Sequence, residues 1–214
     1  MDEVLETIAA RRLVPVVKIE NSRDAVPLGR ALLDGGLPIA EITFRTAAAE
    51  GAIQAMTTEL PDLLVGAGTV LTVDQVESAV KAGARFMVAP GFNPTVVDYC
   101  LAHNIPVVPG INNPSQIERA LERQLKVVKF FPAEASGGLP FLKAVAAPYG
   151  DMLFMPTGGI NQQNLLDYLA FPRVVACGGS WMVDTGLISA GNFAEITRRS
   201  REAVAAISDE FGQA

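Results

Sequence analysis

Lys126-Val127-Val128-Lys129-Phe130-Phe131-Pro132 is an apolar, β-branched and aromatic run with a cation in its interior. It reads as a strand covered on both faces, and such strands belong to parallel sheets with helices packed against them. Successive side chains alternate between faces, so Lys129 and Phe131 share one and Lys126 and Phe130 the other. Lys126 starts the strand and reads as surface. Lys129 comes late in it, where an unpaired buried ammonium is costly. Two readings follow: a strand-end lysine that snorkels to water, or an amine nucleophile of the kind that forms a Schiff base with a carbonyl substrate.

Outward from this run, short β-branched stretches alternate with amphipathic helical ones. Strands are expected near 14–19, 38–44, 63–68, 85–89, 105–109, 126–131, 152–156 and 173–177. Asp24 to Leu33 carries a helical apolar stripe stopped by Gly35-Gly36. Thr72, Asn93-Pro94 and Asn161 stand where helix N-caps are expected. Eight βα units spaced roughly 20–26 residues apart predict one domain over residues 1–214, a closed (β/α)8 TIM barrel. A short N-terminal helix around 2–11 would cap its bottom. The alternative is an open doubly wound sheet, but no Gly-x-Gly-x-x-Gly follows the first strand.

Of the 214 residues, 50% are hydrophobic, enough for a sizeable core. The net charge of −6 argues against nucleic acid or an anionic membrane as partner, so an anionic substrate must be held by local groups. The start Met1-Asp2-Glu3-Val4-Leu5-Glu6 resembles no secretory leader, and no apolar stretch reaches membrane-spanning length. Two cysteines, Cys100 and Cys177, make no disulfide framework, so the reduced cytoplasm is the expected compartment. His103 is the single histidine, placed at a helix C-terminus where it favours the dipole. Neither a metal site nor a Ser/His/Asp triad is supported, and no metal or cofactor is expected.

The second strand, Ile39-Ala40-Glu41-Ile42-Thr43-Phe44-Arg45, puts Glu41, Thr43 and Arg45 on one face and Ile42 and Phe44 on the other. Helices would cover the apolar face, so the polar set faces inward. It suits acid/base work and carboxylate binding, or a plain Glu41–Arg45 ion pair. Pro156-Thr157-Gly158-Gly159-Ile160 and Cys177-Gly178-Gly179-Ser180-Trp181 fall where the seventh and eighth strands end. Loops there, with amides bared by glycine, are the recurrent phosphate site of such barrels. The third strand ends in Val65-Gly66-Ala67-Gly68-Thr69-Val70, a small-residue gap with one hydroxyl. Pro90 and Gly91, then Pro109 and Gly110, shape the rim, and Lys18 ends the first strand, where it can help hold an anion.

Taken together, Glu41-Ile42-Thr43-Phe44-Arg45-Thr46, Gly66-Ala67-Gly68-Thr69-Val70, Lys129-Phe130-Phe131-Pro132-Ala133-Glu134, Pro156 to Ile160 and Gly178-Gly179-Ser180-Trp181 closely resemble the 2-keto-3-deoxy-6-phosphogluconate (KDPG) aldolase family. That family includes enzymes that also cleave 4-hydroxy-2-oxoglutarate (KHG). The resemblance runs from about residue 8 to residue 207, with the motifs in order. It implies a metal-free class I aldolase, a homotrimer, that releases pyruvate and glyceraldehyde 3-phosphate. Lys129 would then form the Schiff base, and Glu41 would shuttle protons. Arg45 and Thr69 would bind the pyruvate carboxylate, Pro90 and Phe131 would pack the pyruvyl group, and Thr157, Gly158, Gly159, Gly179 and Ser180 would hold the phosphate. Asn112, Asn113 and Asn161 depart from the family pattern and bear on the aldehyde end. Galactonate-specific members generally lack an arginine like Arg45, which favours the gluconate branch. A sugar-phosphate isomerase or epimerase, or a non-catalytic phosphosugar-binding barrel, are the competing readings.

Overall fold

The computed structural model describes residues 3–212. Residues 1, 2, 213 and 214, and with them the outer ends of the expected helix and domain, lie outside the described residues. Among the described residues nine strands form: β1 Leu13–Val17, β2 Ile39–Thr43, β3 Leu64–Gly68, β4 Met87–Val88, β5 Val107–Val108, β6 Gly110–Ile111, β7 Val127–Phe130, β8 Leu153–Pro156 and β9 Cys177–Gly179. The longer helices are α1 Glu3–Arg11, α2 Ala25–Asp34, α3 Ala49–Glu59, α4 Val73–Lys81, α5 Pro94–Ala102, α6 Pro114–Glu122 and α7 Gly138–Ala146. Two five-residue helices, α8 Leu165–Leu169 and α9 Thr185–Ser189, precede the 19-residue α10 Phe193–Phe211.

Local chemistry sets most helix starts. Thr72 accepts the Gln75 N–H to cap α4, and Asn93 accepts that of Thr95 to cap α5. Asn161 instead builds a turn ahead of its helix: its Oδ1 accepts from the Gln163 N–H, and α8 begins only after Asn164. At the far end of the chain, α10 returns against α2, where Thr197 Oγ1 donates to the Ala31 carbonyl at 3.0 Å.

All strand pairs are parallel, but the closed eight-stranded barrel expected from the sequence is not what forms. The strands divide into a six-stranded sheet, β5-β4-β3-β2-β1-β9, and a three-stranded sheet, β6-β7-β8. Proline explains one break. Pro109 has no N–H to donate, so the single fifth strand expected at 105–109 becomes β5, paired with β4, and β6, paired with β7. A register mismatch explains the other. Between β8 and β9 there are only isolated bridges, Phe154 of β8 to Val174 ahead of β9, and Thr157 just past β8 to Gly178 of β9. One more residue separates the second members of these bridges than the first, which interrupts a ladder as a bulge does. The last strand accordingly begins at Cys177, where the sequence reading ended it.

Every residue of β2 and of β7 is buried, as strands covered on both faces require. The small-residue gap in β3 is filled from neighbouring elements. A Cβ on Gly66 would lie 2.3 Å from the Phe86 ring, and one on Gly68 would lie 2.1 Å from Glu41 Oε1. Gly66→Ala must therefore push Phe86, fully buried, out of its place. We expect it to cost about 1–3 kcal/mol, measured as a lower midpoint in chemical denaturation with an unchanged slope; unchanged stability would contradict this packing.

Candidate active site

The C-terminal ends of both sheets open onto one cavity of about 270 Å³, whose wall includes Lys129, Phe131, Arg45, Thr69 and Pro90. Thr157, Gly158, Gly159, Gly179 and Ser180 complete its other side. Strand parity accounts for the selection. Lys129 and Phe131 project into the cavity, Phe130 packs outward against Phe141, and Lys126 is exposed.

At the floor, Lys129 Nζ donates to Glu41 Oε1 at 3.4 Å; Glu41 is not itself part of the cavity wall and backs the lysine from within the core. Lys129 is 4% exposed and Glu41 fully buried. A pair this dry keeps its charges only through mutual attraction and further hydrogen bonds. Glu41 Oε2 is buried with no partner among the described residues, leaving one strong acceptor unused beside the amine. Nζ also lies 5.2 Å from the centroid of the Phe131 ring, within cation–π range. The Glu41–Arg45 ion pair allowed by the sequence does not form.

Arg45 is held differently. Its Nε donates to Thr43 Oγ1 at 3.0 Å, and that hydroxyl donates in turn to the Val17 carbonyl at 2.7 Å. Thr43 is buried, so it fixes one edge of the guanidinium to β1. Arg45 forms no ion pair among the described residues, and its outer N–H groups form a planar fork suited to a carboxylate. Thr69 sits on the wall at φ 54°, a left-handed conformation that a β-branched residue adopts only under constraint from its surroundings.

Elsewhere on the wall, Gly158 and Gly159 take φ values of 97° and 84°, which only glycine adopts without strain. Gly179 ends β9 beside Pro15 of β1. Ser180 is exposed and its hydroxyl does not cap the turn that follows. Glycine amides and a free hydroxyl on a cavity wall are groups of the kind that can bind an anion.

Lys18 is not brought to the wall; it pairs at 2.6 Å with Glu20 in a partly exposed position. Nor do Asn112, Asn113 and Asn161 line the cavity. Asn113 caps α6, the Asn112 N–H donates to Gln116 Oε1, and Asn161 Nδ2 donates to the Gly159 carbonyl. His103 closes α5, stacked on Tyr99. Complete burial pushes the Cys177 thiol well up, and burial pushes Cys100 up to about 11, so neither is a thiolate nucleophile near neutral pH. Among the described residues no three His, Cys, Asp or Glu gather as a metal site. Sequence reasoning missed Val16 and Ile160 on the wall, because apolar lining carries no chemical signature.

The family model "KDPG and KHG aldolase" matches residues 4–199. A 2-dehydro-3-deoxy-phosphogluconate aldolase of Treponema pallidum is 52% identical over 202 residues, covering 94% of this chain and 96% of that one. The KDPG aldolase of Legionella pneumophila, solved with pyruvate captured as a covalent carbinolamine, superposes with a TM-score of 0.90 at 38% identity, covering 94% and 98% of the two chains. The Zymomonas mobilis enzyme, solved with 3-phosphoglycerate, gives 0.90 at 37% identity with 96% of each chain covered.

The Thr43 relay yields a test of the carboxylate fork. We expect Thr43→Val to leave the fold intact and to weaken pyruvate binding roughly tenfold, the scale of one lost hydrogen bond to a charged group. Titration calorimetry measures it, and wild-type affinity in the variant would remove Thr43 from the argument.

Proposed function

This chain belongs to the KDPG and KHG aldolase family, and on that premise we propose that it is a class I lyase using Lys129 to cleave 2-keto-3-deoxy-6-phosphogluconate into pyruvate and glyceraldehyde 3-phosphate. The observation that carries this reading is the buried Lys129–Glu41 pair, 3.4 Å apart, in which Lys129 lines the shared cavity and Glu41 backs it. 4-Hydroxy-2-oxoglutarate presents the same pyruvyl half and is the second substrate of this reading, giving pyruvate and glyoxylate.

The chemistry follows from the arrangement. Glu41 first takes a proton from the Lys129 ammonium, and the freed amine attacks the C2 carbonyl; the proton held by Glu41 and one lost by the attacking nitrogen, relayed through the same carboxylate, both pass to the C2 oxygen, which leaves as water. The resulting iminium is an electron sink. Glu41 then takes the C4 hydroxyl proton as the C3–C4 bond breaks. The bonding pair moves into an enamine, and glyceraldehyde 3-phosphate departs. Protonation at C3 and hydrolysis of the iminium return pyruvate and the lysine. Glu41 is suited to serve at each step because it stays within reach of the same nitrogen and has an unshared oxygen.

Binding supports the same division of labour. Arg45, oriented by Thr43, and Thr69 take the C1 carboxylate, while Pro90 and Phe131 enclose the pyruvyl carbons. Thr157, Gly158, Gly159, Gly179 and Ser180 take the phosphate, across the cavity from Arg45. An anion-binding group at each end fits a substrate charged at both ends, although the whole chain carries −6. No helix among the described residues is long and apolar enough to cross a membrane. Free, buried Cys100 and Cys177 suit the reducing cytoplasm, and the family resemblance supports a homotrimer.

Borohydride reduction in the presence of pyruvate, followed by peptide mass spectrometry, is expected to place a reduced pyruvyl adduct on Lys129. Lys129→Ala should lose both adduct and cleavage while keeping its circular dichroism. No adduct anywhere, or near-normal turnover in the variant, would refute the assignment. Light scattering should give a particle of three times the 22.6 kDa chain mass; a monomer at micromolar concentration would remove the trimer from the reading.

A further inference from the structure

We propose that Asn164 and Tyr168 are positioning residues that lock the Thr157–Ile160 loop in its anion-binding shape and so set the preference for a phosphorylated substrate. The inference rests on the phosphate-site reading above. Neither residue lines the cavity; both act on the loop from α8 and its entry turn.

Three consecutive carbonyls of the loop are tied down on that side. The Thr157 carbonyl accepts from the Ala133 N–H at 2.8 Å, and that of Gly158 accepts from the Glu134 N–H at 3.0 Å. The Gly159 carbonyl accepts twice, from Asn164 Nδ2 at 3.1 Å and from Asn161 Nδ2 at 3.2 Å. In a trans peptide the N–H points opposite to the C=O of the same unit. Anchoring the carbonyls of Gly158 and Gly159 therefore turns the amides of Gly159 and Ile160 the other way, toward the cavity these residues line.

Asn164 works at both ends of its amide, because its Oδ1 accepts the Asn161 N–H at 2.8 Å. Tyr168 acts through Glu134. Its buried hydroxyl donates to Glu134 Oε1, and the Glu134 side chain lies across Gly159, where an added Cβ would fall 2.5 Å from its Cγ. Burial, and then the Glu134 carboxylate, push the tyrosine's ionisation upward, so the hydroxyl keeps its proton as the donor. Without these anchors the two glycines, the most conformationally free residues, have many alternatives to the bound shape, and phosphate binding must supply the cost of ordering them.

The test compares KDPG with the same sugar acid lacking its phosphate, in wild type, Tyr168→Phe and Asn164→Ala. Expected in each variant is a rise of roughly five- to tenfold in KM for KDPG and in the inhibition constant of inorganic phosphate. The kcat, the kcat/KM for the dephosphorylated substrate and borohydride trapping with pyruvate should stay within about twofold, since the pyruvyl half is untouched. Equal losses on both substrates would show a general structural role and overturn the proposal, as would unchanged phosphate parameters. Tyr168→Phe removes one oxygen and Asn164→Ala acts on a partly exposed turn, so one folding failure leaves the other variant to decide. A wild type that cleaves both substrates equally well would instead sink the phosphate site itself. Preserved discrimination in the variants beside a discriminating wild type would sink only the clamp.

Discussion

A buried amine 3.4 Å from a buried carboxylate is the constraint around which the rest of the molecule is arranged. Two charges removed from water gain from each other only if their geometry is held, and here it is held by two sheets at once. β7 supplies Lys129 and β2 supplies Glu41, each from a strand with every residue buried. The neighbouring strand β3 must then carry glycine at position 68, because any side chain there would occupy the carboxylate's space. The pair thus dictates a residue that lies outside the cavity wall.

From that floor the site divides by charge. One side is a guanidinium tethered through Thr43 to the Val17 carbonyl, a short chain of hydrogen bonds that orders a long, entropically costly side chain. The other is built from backbone, with glycines at positive φ whose carbonyls are turned away from the cavity and tied down. On the proposed reading, a side-chain fork for carboxylate and a backbone cradle for phosphate are different solutions to one problem, since an acidic chain must concentrate positive potential locally.

The interrupted sheet follows from the same rim. Pro90 and Pro109 stand where the strands reach the cavity, and a residue without an N–H cannot continue a ladder. β4 and β5 are accordingly only two residues long, and the fifth strand restarts as β6. A regular count of βα units predicted uninterrupted closure because periodicity reports the presence of a strand. It does not report the hydrogen bonds that a proline or a one-residue register mismatch removes.

By itself the sequence determined which side chains face the interior. Side-chain alternation is a local, two-residue property, so it separates Lys129 from Lys126 and groups Glu41, Thr43 and Arg45 without any tertiary contact. The order of the two Gly-Gly clusters likewise puts both at the ends of the last strands, and the structure has both on the cavity wall. Only the tertiary structure decided who meets whom. Lys129 pairs with a residue 88 positions away, Arg45 bonds Thr43 rather than Glu41, and Lys18 turns aside to Glu20. Asn161, read from sequence as a helix cap and a rim residue, holds a carbonyl on the loop's outer side. Such pairings depend on register between distant strands and on where free donors fall after packing, which no local pattern of residues encodes.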